Sequence, residues 1–424
     1  MKKILIISYF FFPSINIGAV RPSKIAQKLT KDGYEVDVFT RYQIRDGKDK
    51  YCSNLYSFEN NDTYDTLPAQ TALQKTGIKK FVFEKFGGLY KLLFKIKASL
   101  EANSRDKGMV KAFKEFDESN KKQYDAVFST FGPLGSLLCG MYYKKKHPEV
   151  KWICDFRDPA VVSQLGPLRK IYMRIKEQRA CRTADEIVAV SDGYIDRICG
   201  EKYKEKRHMI PNGYDEDDLK FNLEVSDSSS CLELVYVGVL YGGMRDITPV
   251  FQALKELEKE DEIDIKKIRF NYAGTDFGNL LKQAGCYGLE DIIVNHGVLP
   301  REECLKLQFS SDLLMLATWN NKKEYGVFPG KMLEYMLIGK PIVTTVTGDI
   351  PDSEVANVIK EGNLGVVYEF VNHNEDIKKL KEFLKEAYVQ KVNGEIIPFT
   401  PNKNVLDRYD YRSVIKKIEN LIEK

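Results

Sequence analysis

The apolar positions of the chain fall in short runs of strand length, separated by stretches of helical period. "KILIIS" (3–8) is a continuous apolar run and "YEVDVFT" (34–40) alternates. Between them, "SKIAQKLTKDG" (23–33) puts Ile25, Ala26 and Leu29 on one helical face and stops at Gly33. The first forty residues therefore predict a strand, a loop containing Gly18, a helix and a second strand, the βαβ unit of a parallel sheet. Runs of the same kind predict strands at 125–130, 151–156 and 186–191. After a polar, Ser-rich stretch (222–231), a second series follows at 232–238, 268–274, 291–297, 312–318 and 340–345. Two such series predict an α/β protein of two doubly wound domains, 1–222 and 231–400, facing a cleft at the C-terminal strand ends. A final segment, 401–424, ends in an amphipathic helix (412–424) expected to pack back on the first domain.

Composition narrows the class. The chain has 424 residues, 43% hydrophobic and 12% aromatic, enough for sizeable cores. Its 65 basic and 61 acidic side chains leave a net charge of +4, too mild to argue for nucleic acid. Eight cysteines without a CxxC pair point to reduced, packed thiols and a cytoplasmic chain. Four dispersed histidines announce no metal site. "MKKILIISYFFFP" imitates a signal peptide, but it is short, ends at Pro13 and lacks a small-residue cleavage site, so it reads as a buried strand. One basic amphipathic stretch, "KKFVFEKFGGLYKLLFKIK" (79–97), is expected either to lie on an anionic membrane surface or to be an ordinary helix with a solvated lysine face.

Three stretches could carry chemistry. "GVFPGKMLEYMLIGKPIV" (326–343) is a small-residue loop, a helix and a strand. Gly330 and the helix N-terminus suit a phosphate, Lys331 adds a positive charge, and Glu334 lies one turn later where it can accept from a sugar diol. Solvation of Lys331 and helix capping by Glu334 is the competing reading. "YVGVLYGGMRD" (236–246) follows strand, glycine loop and helix, with Gly243 loosening the turn and Arg245 near the helix start. Its spacing is not that of a dinucleotide fingerprint, and glycine-rich turns also occur for structure alone. "CDFRDPA" (154–160) clusters Asp155, Arg157 and Asp158 at a strand end, either as an ion pair holding a loop or as a cleft floor near Gly18 and Arg21. "DEDD" (215–218) reads as a solvated linker.

Together, the Gly18 loop with "KIAQKLTKDGYEVDVFT", "EIVAVSDGYIDRI", "MIPNGYD", "VYVGVLYGG", "FNYAGTD", "VNHGVLPREE" and "PGKMLEYMLIGKPIVTT" resemble the glycosyltransferases of family 4, GT-B fold, in a branch serving surface-polysaccharide biosynthesis. The resemblance covers nearly the whole chain. It implies a retaining hexosyl- or glycosyltransferase that uses a UDP- or GDP-sugar donor, needs no cofactor or metal, and serves a glycan or lipid-linked acceptor at the cytoplasmic face of the membrane. It implies further that Glu334 holds the nucleotide ribose and that Gly18, Gly243, Arg245, Gly330 and Lys331 line the diphosphate. Arg157 and Asp158 fall where many members carry a cleft histidine beside the reacting sugar. Two positions depart from the pattern: Gly326 stands where most members have a first glutamate, and Val239 where many have arginine. Two other readings stay open: a sugar-nucleotide 2-epimerase, which would share the architecture, and a non-catalytic sugar-nucleotide-binding protein, which the first departure makes conceivable.

Overall fold

A computed structural model describes residues 1–14, 16–42, 50–58, 101–163, 165–219 and 230–424. The 79–97 stretch lies outside the described residues.

The chain divides into two compact units, Met1–Pro211 with Val414–Lys424, and Asn212–Ser413. The first is built on β1 (Lys3–Ile7), β2 (Glu35–Thr40), β3 (Asn54–Ser57), β4 (Ala126–Thr130), β5 (Lys151–Phe156), β6 (Glu186–Ala189) and β7 (Arg207–Met209). They form one parallel sheet in the order β3-β2-β1-β4-β5-β6-β7. The second unit holds β8 (Leu232–Val237), β9 (Ile268–Ala273), β10 (Ile293–Gly297), β11 (Leu313–Trp319), β12 (Ile342–Thr347) and β13 (Gly365–Glu369), all parallel, in the order β10-β9-β8-β11-β12-β13. Each sheet reverses its winding beside its first strand, between β1 and β4 and between β8 and β11. In open α/β sheets ligands bind outside the carboxyl ends of the strands at such a point.

Both faces of the second sheet are covered, which is why its strands read as near-continuous apolar runs. Leu232, Leu234 and Tyr236 of β8 enter one core, while Val235 and Val237 enter the other. The first helix spans Val20–Lys31, starting three residues earlier than its apolar period indicated. Pro22 sits in its first turn, where a missing N–H costs nothing.

The division after Pro211 precedes the Ser-rich stretch of the sequence reading. Tyr214 joins the second unit by bridging to Asp410, with Tyr214 N–H donating to Tyr409 O (2.8 Å) and Tyr411 N–H to Tyr214 O (3.0 Å). Asp215, in the "DEDD" run, is buried rather than solvated. The last helix, Tyr411–Glu423, belongs to the first unit from Val414 onward. Lys2 Nζ meets Glu423 (2.8 Å) and Ile422 O (3.0 Å), and Lys151 Nζ donates to Leu421 O (3.0 Å). No described helix is long and apolar enough to cross a membrane.

Candidate functional site

In the second unit, β8 runs into a glycine loop whose carbonyls accept from tyrosines of β8 and β9. Gly238 has φ +141° and Gly243 φ +95°, left-handed conformations that favour glycine. Tyr272 Oη donates to Gly238 O (3.0 Å) and Tyr236 Oη to Val239 O (3.1 Å). Gly242 N–H donates to Asp276 Oδ2 (3.2 Å), and Gly274 leaves no room for a Cβ against the Gly238 carbonyl. The helix that follows starts at Thr248, so Arg245 lies in the turn before it. Its guanidinium sits over the rings of Tyr241 (4.7 Å) and Trp319 (5.8 Å) and donates from Nη1 to Val239 O (3.2 Å). Arg245 Nε is buried and has no hydrogen-bond partner among the described residues. Burial pushes the Tyr236 phenol up to about 12, with the neighbouring Arg245 opposing.

β11 leads through residues 320–329 to the helix Gly330–Ile338. Its N-cap, Pro329, offers no side-chain acceptor, so the first-turn N–H groups have no cap from it. Lys331 Nζ and Glu334 Oε1 form an i,i+3 ion pair at 2.6 Å, and Arg301 Nη1 approaches Glu334 Oε2 at 3.5 Å. The buried Tyr335 phenol, pushed well up by burial, feels the charges of both Glu334 and Arg245. Its hydroxyl donates to Met315 O of β11 (3.0 Å). Gly326 is buried with φ +77°, a backbone that disfavours any glutamate there. Glu324 is also buried, in the Asn321–Glu324 turn, with its N–H donating to Asn321 O (3.0 Å).

In the first unit, the strand-end residues split into three roles. Asp155 is fully buried and pairs with Arg21 (2.9 Å), itself 2% exposed; Thr130 Oγ1 donates to the same carboxylate (2.8 Å). Arg21 also donates to Pro211 O (2.7 Å) and Ile210 O (3.0 Å). Arg157 clamps the two loops that flank the winding reversal. It donates to Phe131 O (3.0 Å) and Gly132 O (3.1 Å) after β4, and to Gly18 O (2.5 Å) after β1. A Cβ on Gly18 would lie 2.5 Å from Arg157 Nη1. Asp158 keeps an exposed surface although protein crowds around it. That crowding raises its carboxyl pKa, opposed by Arg157 and Arg197.

Sequence reasoning passed over Tyr241, Trp319 and Arg301, which touch the residues it did single out. Trp319 Nε1 and Thr318 Oγ1, at the end of β11, are buried without partners among the described residues. A tryptophan closing an apolar strand was the available signal; its position beside Arg245 depends on β8 and β11 being neighbours.

A comparison with curated proteins by sequence returns no match. Among solved structures, the chain is similar to the apo lipopolysaccharide outer core galactosyltransferase WaaB, at 14% identity and TM-score 0.59, covering 100% of this chain and 99% of that one. It is similar to a glycosyltransferase from Rickettsia africae, at 13% identity and TM-score 0.54, covering 100% and 98%. It is similar also to an Escherichia coli structure titled as trehalose-6-phosphate bound with UDP-2-fluoro glucose, at 10% identity and TM-score 0.60, covering 100% and 99%. At these identities the likeness establishes the two-domain GT-B fold. Residues 232–386, which contain Gly243, Arg245, Gly330, Lys331 and Glu334, match the family described as Glycosyl transferases group 1.

Proposed function

We propose that this chain is a retaining glycosyltransferase of family 4 that moves a sugar from a UDP- or GDP-sugar to a glycan or lipid-linked acceptor at the cytoplasmic face of the membrane. The observation that carries the reading is Arg245: a guanidinium beside a glycine loop, its Nε buried and without a partner among the described residues, within the segment that matches Glycosyl transferases group 1. Breaking the anomeric bond leaves negative charge on the departing nucleoside diphosphate. Arg245, Lys331 and the N–H groups at Gly330 and Lys331 would stabilise that charge, which is where preorganised donors matter most. Lys331 is held by a partly exposed i,i+3 ion pair, worth only about 0.3–0.5 kcal/mol, which a diphosphate can outcompete. Released from Lys331, Glu334 would accept from the ribose hydroxyls. Gly243 would let its loop approach the donor closely.

In the first unit, Arg157 would position the Gly18 and Gly132 loops, leaving Asp158 as the strand-end group free to meet an acceptor. The donor set around the diphosphate is cationic and neutral, so turnover is expected to persist in EDTA. The test is a thermal-stabilisation panel of UDP-, GDP- and other activated sugars, followed by product analysis with acceptors and by the anomeric configuration of the product. Selective stabilisation and acceptor-dependent transfer with retention are expected. Nucleotide binding without turnover would instead favour a non-catalytic binder, the reading that Gly326 motivates, and an epimerised sugar nucleotide without acceptor would favour a 2-epimerase of the same fold.

A further inference from the structure

The helix Pro167–Thr183 of the first unit carries apolar residues on two opposite faces. Met173, Glu177, Ala180 and Cys181 are buried. On the other side Leu168, Ile171, Tyr172 and Ile175, spaced i, i+3, i+4 and i+7, are 84%, 59%, 37% and 60% exposed. Continuing that outer line toward the C-terminus come Arg179 and Arg182, both exposed. Arg169 and Lys176 flank it, their cations over the Tyr172 ring at 5.0 and 5.4 Å. The helix has six basic residues and one acidic residue, Glu177, which faces inward. Among the described residues, Lys170, Arg179 and Arg182 form no ion pair.

An exposed contiguous apolar stripe marks an interaction surface. Its arginine continuation and its cation-flanked tyrosine choose the partner. Acidic protein or nucleic acid would answer the charge and leave three aliphatic side chains in water. An anionic bilayer answers both, taking the aliphatic groups into the acyl boundary and the guanidinium groups at the headgroups. We propose that the outer face of Pro167–Thr183 docks on an anionic lipid surface. The docked helix is tied to the candidate site through its buried side: Glu177 Oε2 accepts from Ala160 N–H (2.8 Å) in the loop that carries Arg157 and Asp158, and Glu177 Oε1 accepts from Arg174 (2.5 Å).

The test is flotation of the full chain with vesicles of phosphatidylcholine alone, or mixed with phosphatidylglycerol. It does not depend on sugar transfer, so its failure is separate from failure of the proposed activity. Binding is expected only to mixed vesicles, weakening as salt rises. Leu168→Ser, Ile171→Ser and Ile175→Ser together should lower it about tenfold or more, and Arg179→Glu with Arg182→Glu by a similar factor. Unchanged thermal unfolding of both variants, expected because the substituted side chains face outward, confirms that fold is not the cause. Three results overturn the proposal: no binding by the wild type, wild-type binding by the apolar variant, or an association between copies that this variant alone abolishes.

Discussion

The two sheets share a winding pattern but spend their cations differently. Beside β1 and β4, Arg21 is consumed by Asp155 and two carbonyls, and Arg157 by three carbonyls. Beside β8 and β11, Arg245 bonds one carbonyl, lies over two rings and keeps a buried Nε without a partner among the described residues, while Lys331 pairs with Glu334. One winding reversal is locked by its own charges; the other holds charge in reserve. The same topology thus engages the cations of one unit with its own carbonyls and carboxylate and leaves those of the other less engaged, and topology alone does not say which is which.

The largest effect should come from unlocking the engaged side. Asp155→Ala strands a buried guanidinium and should cost roughly 3–5 kcal/mol of stability in urea unfolding. Next, Arg245→Ala and Lys331→Ala should each cost roughly 2–4 kcal/mol of transition-state stabilisation, read as kcat/KM, with little change in Tm. Equal losses of stability in the two units would erase the contrast. Gly132→Ala, at φ +113° and against Arg157, should cost about 1–3 kcal/mol in the same unfolding assay. Gly326→Glu forces a side chain onto a left-handed backbone and should lose about 1–2 kcal/mol without any gain in turnover.

The smallest effect is a pH dependence at Glu177. Burial raises its carboxyl pKa, with Ala160 N–H and Arg174 opposing. The protonated form is thus favoured in the fold. Its contribution is complete below the ordinary glutamate value and is lost as pH rises through the raised one. Glu177→Gln escapes that loss, so its stability relative to wild type should climb with pH across this window in paired denaturation curves. A flat difference would contradict the assignment.

Much of this was legible in the chain. Strands whose two faces are both buried announce themselves as apolar runs, and β1, β5, β8 and β11 were all read that way. β3 and β7 were missed because they are short, polar edge strands, only partly buried. β13 was missed although "GVVYE" is apolar enough to read as a strand. At the site, residue types and glycine loops pointed to Arg245, Lys331 and Glu334, but not to how the charges pair. Asp155 choosing Arg21 over Arg157, and Arg245 lying on Trp319, are contacts between segments far apart in sequence. The exposed face of Pro167–Thr183 escaped for a different reason: apolar residues on opposite sides of a helix cancel as a periodic signal.

Calorimetric titration of UDP and GDP into wild type, Arg245→Ala and Arg157→Ala tests the contrast between the two winding reversals most directly. For whichever nucleotide binds, Arg245→Ala should weaken affinity about tenfold or more, the worth of a charge-assisted hydrogen bond, and Arg157→Ala should change it by about twofold or less. Unaltered affinity in Arg245→Ala, or a loss in Arg157→Ala matching the one expected of it, would contradict the placement of the donor site on the second unit.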